Sequence, residues 1–188
     1  MRNNYFYIIF SIIIIQSIFL QAQISSRWNR DSSIYFYKFI DEKLDTEKVT
    51  FDKTLTREQI LDSLASFLTV DYFVPKNKHY QNKAKISINI DSIITFNSTN
   101  KQYRIAVVNI KDPDEICMTL YFQGSTGGQN TYVMLVSNLM QPQLKDPLLD
   151  GIIFLYNKSE LKEMDHIRLS GIITERGIEF GIREALQQ

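Results

Sequence analysis

The feature that most limits what this chain can become is a pair of alternating segments around a short polar turn. In KISINIDSIITF, Ile86, Ile88 and Ile90 fall on one face and Ser87, Asn89 and Asp91 on the other. A period of two marks a half-buried strand. NSTN (97–100) is turn chemistry. QYRIAVVNI follows, with Tyr103, Ile105 and Val107 on one face. Two strands joined so closely pair as an antiparallel hairpin.

A helix precedes that hairpin. Thr56 is an N-cap residue with Gln59 three positions later, which is the capping-box pattern. Leu55 and Ile60 stand at the staple positions. Ile60, Leu61, Leu64, Phe67 and Leu68 then recur at helical spacing, one apolar stripe that must lie against a sheet. The helix ends near Tyr72, ahead of Pro75, because the residue before a proline disfavours helical angles. Before the helix, IYFYKFI (34–40) is rich in β-formers and reads as a strand. It places Ile34, Phe36 and Lys38 on one face and Tyr35, Tyr37 and Phe39 on the other. It is either central in a sheet or presents an aromatic surface. DEKLDTEK reads as a charged loop and KVTFDK as a short extended piece.

After the hairpin, Asp112-Pro113-Asp114 closes the strand. ICMTLYF, an apolar run, leads into the glycine-containing loop QGSTGGQN. TYVMLVSNLMQ reads as a second helix that stops near Pro142, and GIIFLYN (151–157) as a strand. A short edge strand is expected near Ile172, Ile173 and Thr174, followed by a tail at 176–188. KNKHYQNKAK (76–85) is a polar, basic loop.

The N-terminus carries a different signal. Arg2 and the α-amino group form a positive start, Tyr5 to Leu20 is almost wholly apolar and uncharged, and Ala22 is a small residue suited to cleavage. That is the pattern of a secretory signal peptide over 1–22, with a polar linker over 23–33. The run is a little short of the roughly 20 apolar residues of a spanning helix, and an uncleaved anchor is the alternative. The chain is therefore expected to be exported to the periplasm, cell envelope or exterior. It meets the membrane only through this segment, if uncleaved.

Composition narrows the function classes. Of 21 basic residues only Arg2 lies in the leader, which leaves 20 basic against 21 acidic. Nucleic-acid binders show a basic excess, so no nucleic-acid partner is expected. Cys117 is the single cysteine and cannot form an intramolecular disulfide. Within an apolar run it reads as a small buried hydrophobe. One cysteine with His79 and His166 far apart makes no zinc site. Neither a metal nor a cofactor is expected.

Strand, helix, strand, strand, helix, strand is the order from Ile34 to Ile173. In that order the chain resembles the sporulation and spore-germination domain, GerMN. IYFYKF with KVTF resembles its opening strand and extended segment, REQILDSLASFL its first helix, YRIAVVNI its third strand. GGQNTYVMLVSNLMQ leading into PLLDGIIFLYNKSEL resembles its last helix and strand, with the turn at Asn157-Lys158. The loops at Lys76–Lys85 and Asp112–Gly128 and the segment DHIRLSG are longer than the family pattern. The resemblance implies a small α+β two-layer sandwich over 34–175, with a mostly antiparallel sheet in β-α-β-β-α-β order and two helices on one face. It also implies a non-enzymatic protein of the cell envelope, whose partner is an envelope protein or cell-wall component.

Two features compete with that reading. The loop Gly124, Ser125, Thr126, Gly127, Gly128 stands ahead of a helix, where backbone amides and partial positive charge hold anions. Gln129 replaces the lysine of a phosphate-binding loop, and Gln123 replaces the glycine that a nucleophile elbow needs. The bland alternative is a flexible connection with Ser125, Thr126 or Asn130 as helix cap. Asp165-His166 together with Ser125 would make a small hydrolase. Adjacent residues of a strand point to opposite faces, which weighs against that relay. A carbohydrate-binding module is the third reading, and it needs an exposed aromatic platform.

Overall fold

The computed structural model describes residues 33–40, 43–76, 78–80, 82–83, 85–97, 102–161 and 167–175. The expected signal peptide at 1–22, nearly all of the linker at 23–33 and the tail at 176–188 lie outside them.

The alternating segments form β3 (Ser87–Asn97) and β4 (Gln102–Lys111), paired antiparallel. Strand β5 (Gly151–Tyr156) joins β4 in parallel, which requires a crossover between them. Strands β6 (Ser159–Glu160) and β7 (Ile172–Thr174) pair antiparallel with opposite ends of β5. The result is a five-stranded, mostly antiparallel sheet in an α+β fold. The β5–β6 turn is made by Asn157 and Lys158, both at positive φ (49° and 67°), as a two-residue hairpin turn demands.

Ile88, Ala106, Val108, Ile110, Ile152, Phe154 and Ile173 point to one face of this sheet and are buried. Helix α1 (Arg57–Phe67) covers part of it. Its capping box is complete: Thr56 Oγ1 accepts from Gln59 N at 3.2 Å and Gln59 Oε1 accepts from Thr56 N at 2.8 Å. Ile60, Leu61, Leu64 and Leu68 are fully buried, each stabilising the fold by about 1.5–3 kcal/mol. A π-turn at Leu68–Tyr72 ends the helix where the proline effect places its end.

Within the apolar run ICMTLYF, Ile116–Leu120 forms the one-turn helix α2. Asp112, fully buried, holds it: Oδ1 accepts from Ile116 N at 2.9 Å, and Oδ2 accepts from Cys117 N at 2.5 Å and from the Tyr156 hydroxyl at 2.7 Å. Cys117 is buried as expected, and burial followed by the Asp112 charge pushes its thiol well above the ordinary range. Helix α3 (Ser125–Met140) follows. Every residue from Thr131 to Met140 is buried, so this helix has no wet side there and occupies the middle of the molecule.

The first strand departs from expectation. Strand β1 (Ser33–Ile40) does not enter the sheet. It pairs only with β2 (Lys43–Thr50), in a separate two-stranded sheet. Most of DEKLDTEK is therefore strand and not loop. An edge strand facing water tolerates Lys43, Asp45, Glu47 and Lys48, which a central strand would not. On its other edge β1 meets α3 through two side-chain amides. Asn138 Oδ1 accepts from Tyr37 N at 3.0 Å, and its Nδ2 donates to Tyr37 O at 3.0 Å. Gln141 Oε1 accepts from Tyr35 N at 2.8 Å, and its Nε2 donates to Tyr35 O at 2.6 Å. The two amides imitate a neighbouring strand: Tyr35 and Tyr37 are two apart, and Asn138 and Gln141 are three apart on a helix. Both amides are completely buried. The hairpin also stacks Phe36 edge-on against Phe67 of α1, 4.3 Å between centroids.

Candidate functional site

The glycine loop places its residues at the start of α3. Gly124 is the N-cap, with φ 73° and ψ 149°, a backbone geometry suited to glycine. Gly128 N donates to Gly124 O at 2.9 Å, the first bond of the helix. Ser125 and Thr126 are exposed, Gly127 is half-buried and Gly128 is buried. None of Ser125, Thr126 or Asn130 caps the helix through its side chain. All three already lie inside the helix, one, two and six residues past the N-cap at Gly124. His166 and Asp165, the partners a hydrolase would bring to Ser125, lie outside the described residues. Among the described residues no group of three or more His, Cys, Asp or Glu is placed to hold a metal ion.

The more site-like region is the sheet's second face. Its composition follows from one irregularity. The register of β3 on β4 shifts between Ile90 and Ser92, which leaves Asp91 as a bulge. Before the bulge, Ile88 and Ile90 oppose Ile110 and Val108 on the buried face. After it, Ile93 opposes buried Ala106, while Ile94 and Phe96 oppose Ile105 and Tyr103 on the other face. One extra residue therefore reverses the even-numbered positions. Lys158 of the β5–β6 turn reaches the bulge, with Nζ 2.6 Å from Asp91 Oδ2.

The register then builds an apolar surface across the sheet. Val107 lies beside Ile153, and Ile153 beside Ile172. Ile105 lies beside Gly151, and a side chain at Gly151 would meet Ile172 at 3.2 Å. Ile94, Phe96 and Ile172 are 48%, 47% and 57% exposed. The rings of Phe96 and Tyr103 stack at 5.1 Å with an 11° interplanar angle. Contiguous exposed apolar side chains of this kind mark interaction surfaces more than isolated ones do.

At one end of this face a cavity of about 480 Å³ opens. Phe96, Tyr103, Ile105 and Ile172 line it from the sheet, and Pro142, Pro147 and Leu149 from the loop after α3. Two arginines fix that loop. Arg57 Nη1 donates to Pro147 O at 2.6 Å and its Nη2 to Asp146 Oδ2 at 2.8 Å. Arg104 Nη2 donates to Asp146 Oδ1 at 2.9 Å. Its Nε stands 3.6 Å from Asp150 Oδ2, an ionic contact beyond hydrogen-bond length. Burial alone would raise the Asp146 carboxyl; the hydrogen bonds from Arg57 and Arg104 outweigh it and hold the group below its ordinary value. The cavity wall is thus pinned to both α1 and β4.

The strand proposed for an aromatic platform does not supply one. Tyr37 is buried, and Tyr35, Phe36 and Phe39 are half-buried against the core. The exposed aromatic side chain of the second face is Phe96. In the sequence Ile94 and Phe96 continue the alternation of Ile86, Ile88 and Ile90, and that period alone does not separate them from the buried isoleucines. Asp91-Ser92, two polar residues in succession before Ile93-Ile94, was the available sign of a bulge.

No known family model matches the chain, and no curated protein or solved structure is significantly similar to it.

Proposed function

We propose that this chain is an exported, non-catalytic domain of the cell envelope that binds a partner protein on the second face of its five-stranded sheet. The observation that carries the reading is the exposure of Ile94, Phe96 and Ile172 together on that face. The adjoining cavity has the volume to take one large apolar side chain of the partner, the anchor typical of well-packed interfaces. Export rests on the leader pattern at 1–22, and the envelope setting on the resemblance of the segments between Ile34 and Ile173 to the GerMN domain. Cell-wall saccharide is the second reading, favoured by the exposed ring of Phe96 beside the cavity.

The test is site-specific photocrosslinking in living cells, with the photoreactive residue at Ile172 or, as a control, at Glu47 of β2. Mass spectrometry of the same material reads the N-terminus. The reading expects a chain beginning near Gln23 and one protein adduct from position 172 that is lost with Ile153→Glu. No adduct, or the same adduct from both positions, refutes the docking face. Retention by peptidoglycan without a protein adduct would replace the protein partner by the saccharide. An intact N-terminus in the cytosolic fraction would refute export.

A further inference from the structure

We propose that two copies of this chain join edge to edge through residues 93–97 of β3, antiparallel about a two-fold axis, making one continuous ten-stranded sheet. Strand β3 is the long outer edge of the five-stranded sheet and pairs with β4 alone among the described residues. Its first half is closed off: Ile88 N donates to the Thr69 hydroxyl at 2.9 Å, and the end of α1 runs alongside. From Ser92 onward its far side has no backbone partner among the described residues, and five of the six residues are exposed.

An open edge is a template for another strand, and proteins ordinarily blunt it with charge, proline or brevity. Residues 92–97 read SIITFN. They contain no charge, no proline and no glycine, and are rich in β-formers. The outer edge of β2 is the contrast. Pairing β2 with itself about Thr46 would set Asp45 opposite Glu47, like charges at the closest cross-strand distance.

The occupant is a second copy because the segment is complementary to itself. Antiparallel pairing centred on Thr95 puts Ile94 opposite Phe96 of the other copy, and Phe96 opposite its Ile94. Both pairs lie on the second face, where aromatic and β-branched partners stabilise a sheet. Thr95 meets Thr95 and no like charges meet. A two-fold contact of this kind is closed, so it stops at a dimer and does not run on into a fibre. The apolar faces of the two copies become continuous, and the docking surface remains open. The pairing therefore stands independently of that binding reading.

The experiment uses the purified exported chain. Sedimentation velocity over about 1–100 μM should show a dimer. Thr95→Cys should then form a disulfide dimer under mild oxidation, since cross-strand Cβ atoms about 4.5–5.5 Å apart lie close to disulfide reach. The native Cys117 is buried and does not compete. Thr46→Cys on β2 should still dimerise through β3 but form no disulfide dimer under the same oxidation. Ile94→Lys, at an exposed position, should weaken dimerisation at least tenfold with an unchanged circular dichroism spectrum. A chain that sediments as a monomer throughout, or a Thr46→Cys that crosslinks as readily as Thr95→Cys, overturns the proposal. Loss of the Ile172 photoadduct with the dimer intact would bear on the docking face alone.

Discussion

Replacing Asn138 by Leu tests the amide clamp between α3 and the β1–β2 hairpin. The substitution keeps a side chain of similar volume in a site with zero exposure, so a cavity contributes little. It removes three hydrogen bonds: one from Tyr37 N, one to Tyr37 O and one to Met134 O. Met134 O keeps its place in the helix ladder and is not orphaned. The amide and carbonyl of Tyr37 are orphaned, in a buried setting. At about 1–3 kcal/mol for each unsatisfied buried group, the expected loss is roughly 2–6 kcal/mol. That is a large part of the 5–15 kcal/mol typical of a domain (roughly). Urea unfolding followed by circular dichroism reads the global change. Amide exchange reads the local one: protection at Tyr37 should fall at least a hundredfold, about 2.7 kcal/mol at 1.36 per decade. Gln141→Gly should cost less, because Tyr35 is only part-buried and glycine suits the φ of 55° at that position. A loss below about 0.5 kcal/mol with unchanged exchange at Tyr37 would refute the claim that side-chain amides replace a missing strand.

Three further outcomes follow from the polar clusters. Asp112→Ala should lower stability by about 3 kcal/mol or more in urea titrations, since it strands the donors of Ile116 N, Cys117 N and the Tyr156 hydroxyl. The Asp146 carboxyl is held down in the folded state, so its contribution is present above the unfolded carboxylate pKa and is lost as pH falls. The stability gap between the native chain and Asp146→Asn should thus be constant above about pH 5 and shrink below about pH 4; a gap unchanged at pH 3 would contradict this. Cys117, whose thiol burial pushes up, should resist thiol reagents in the folded chain and label fully in urea; rapid labelling of the native protein would show the site is open.

Much of the fold was legible in local signals. The capping box at Thr56 and Gln59, the stripe from Ile60 to Leu68 and the alternation from Ile86 to Ile90 each involve residues within a turn or two of one another. So do the end of α1 before Pro75 and the strand at Gly151–Tyr156. Propensity, capping and period act at that range, and they dictate these elements wherever the chain goes.

What the tertiary structure decided is where those elements go and which side they show. IYFYKFI was readable as a strand, but its partner was not, because a strand's edge is satisfied by any donors and acceptors at the right spacing. Here Asn138 and Gln141 supply them from a helix about a hundred residues away. TYVMLVSNLMQ was readable as a helix, but its burial on every side arises only when the hairpin and sheet close over it. The candidate site depends on the same kind of decision. Side-chain direction in a strand reverses with every residue, so the single bulge at Asp91 sends Ile94 and Phe96 away from the core that Ile88 and Ile90 enter. Composition and period specify that β3 is half-buried; only its register against β4 specifies which half.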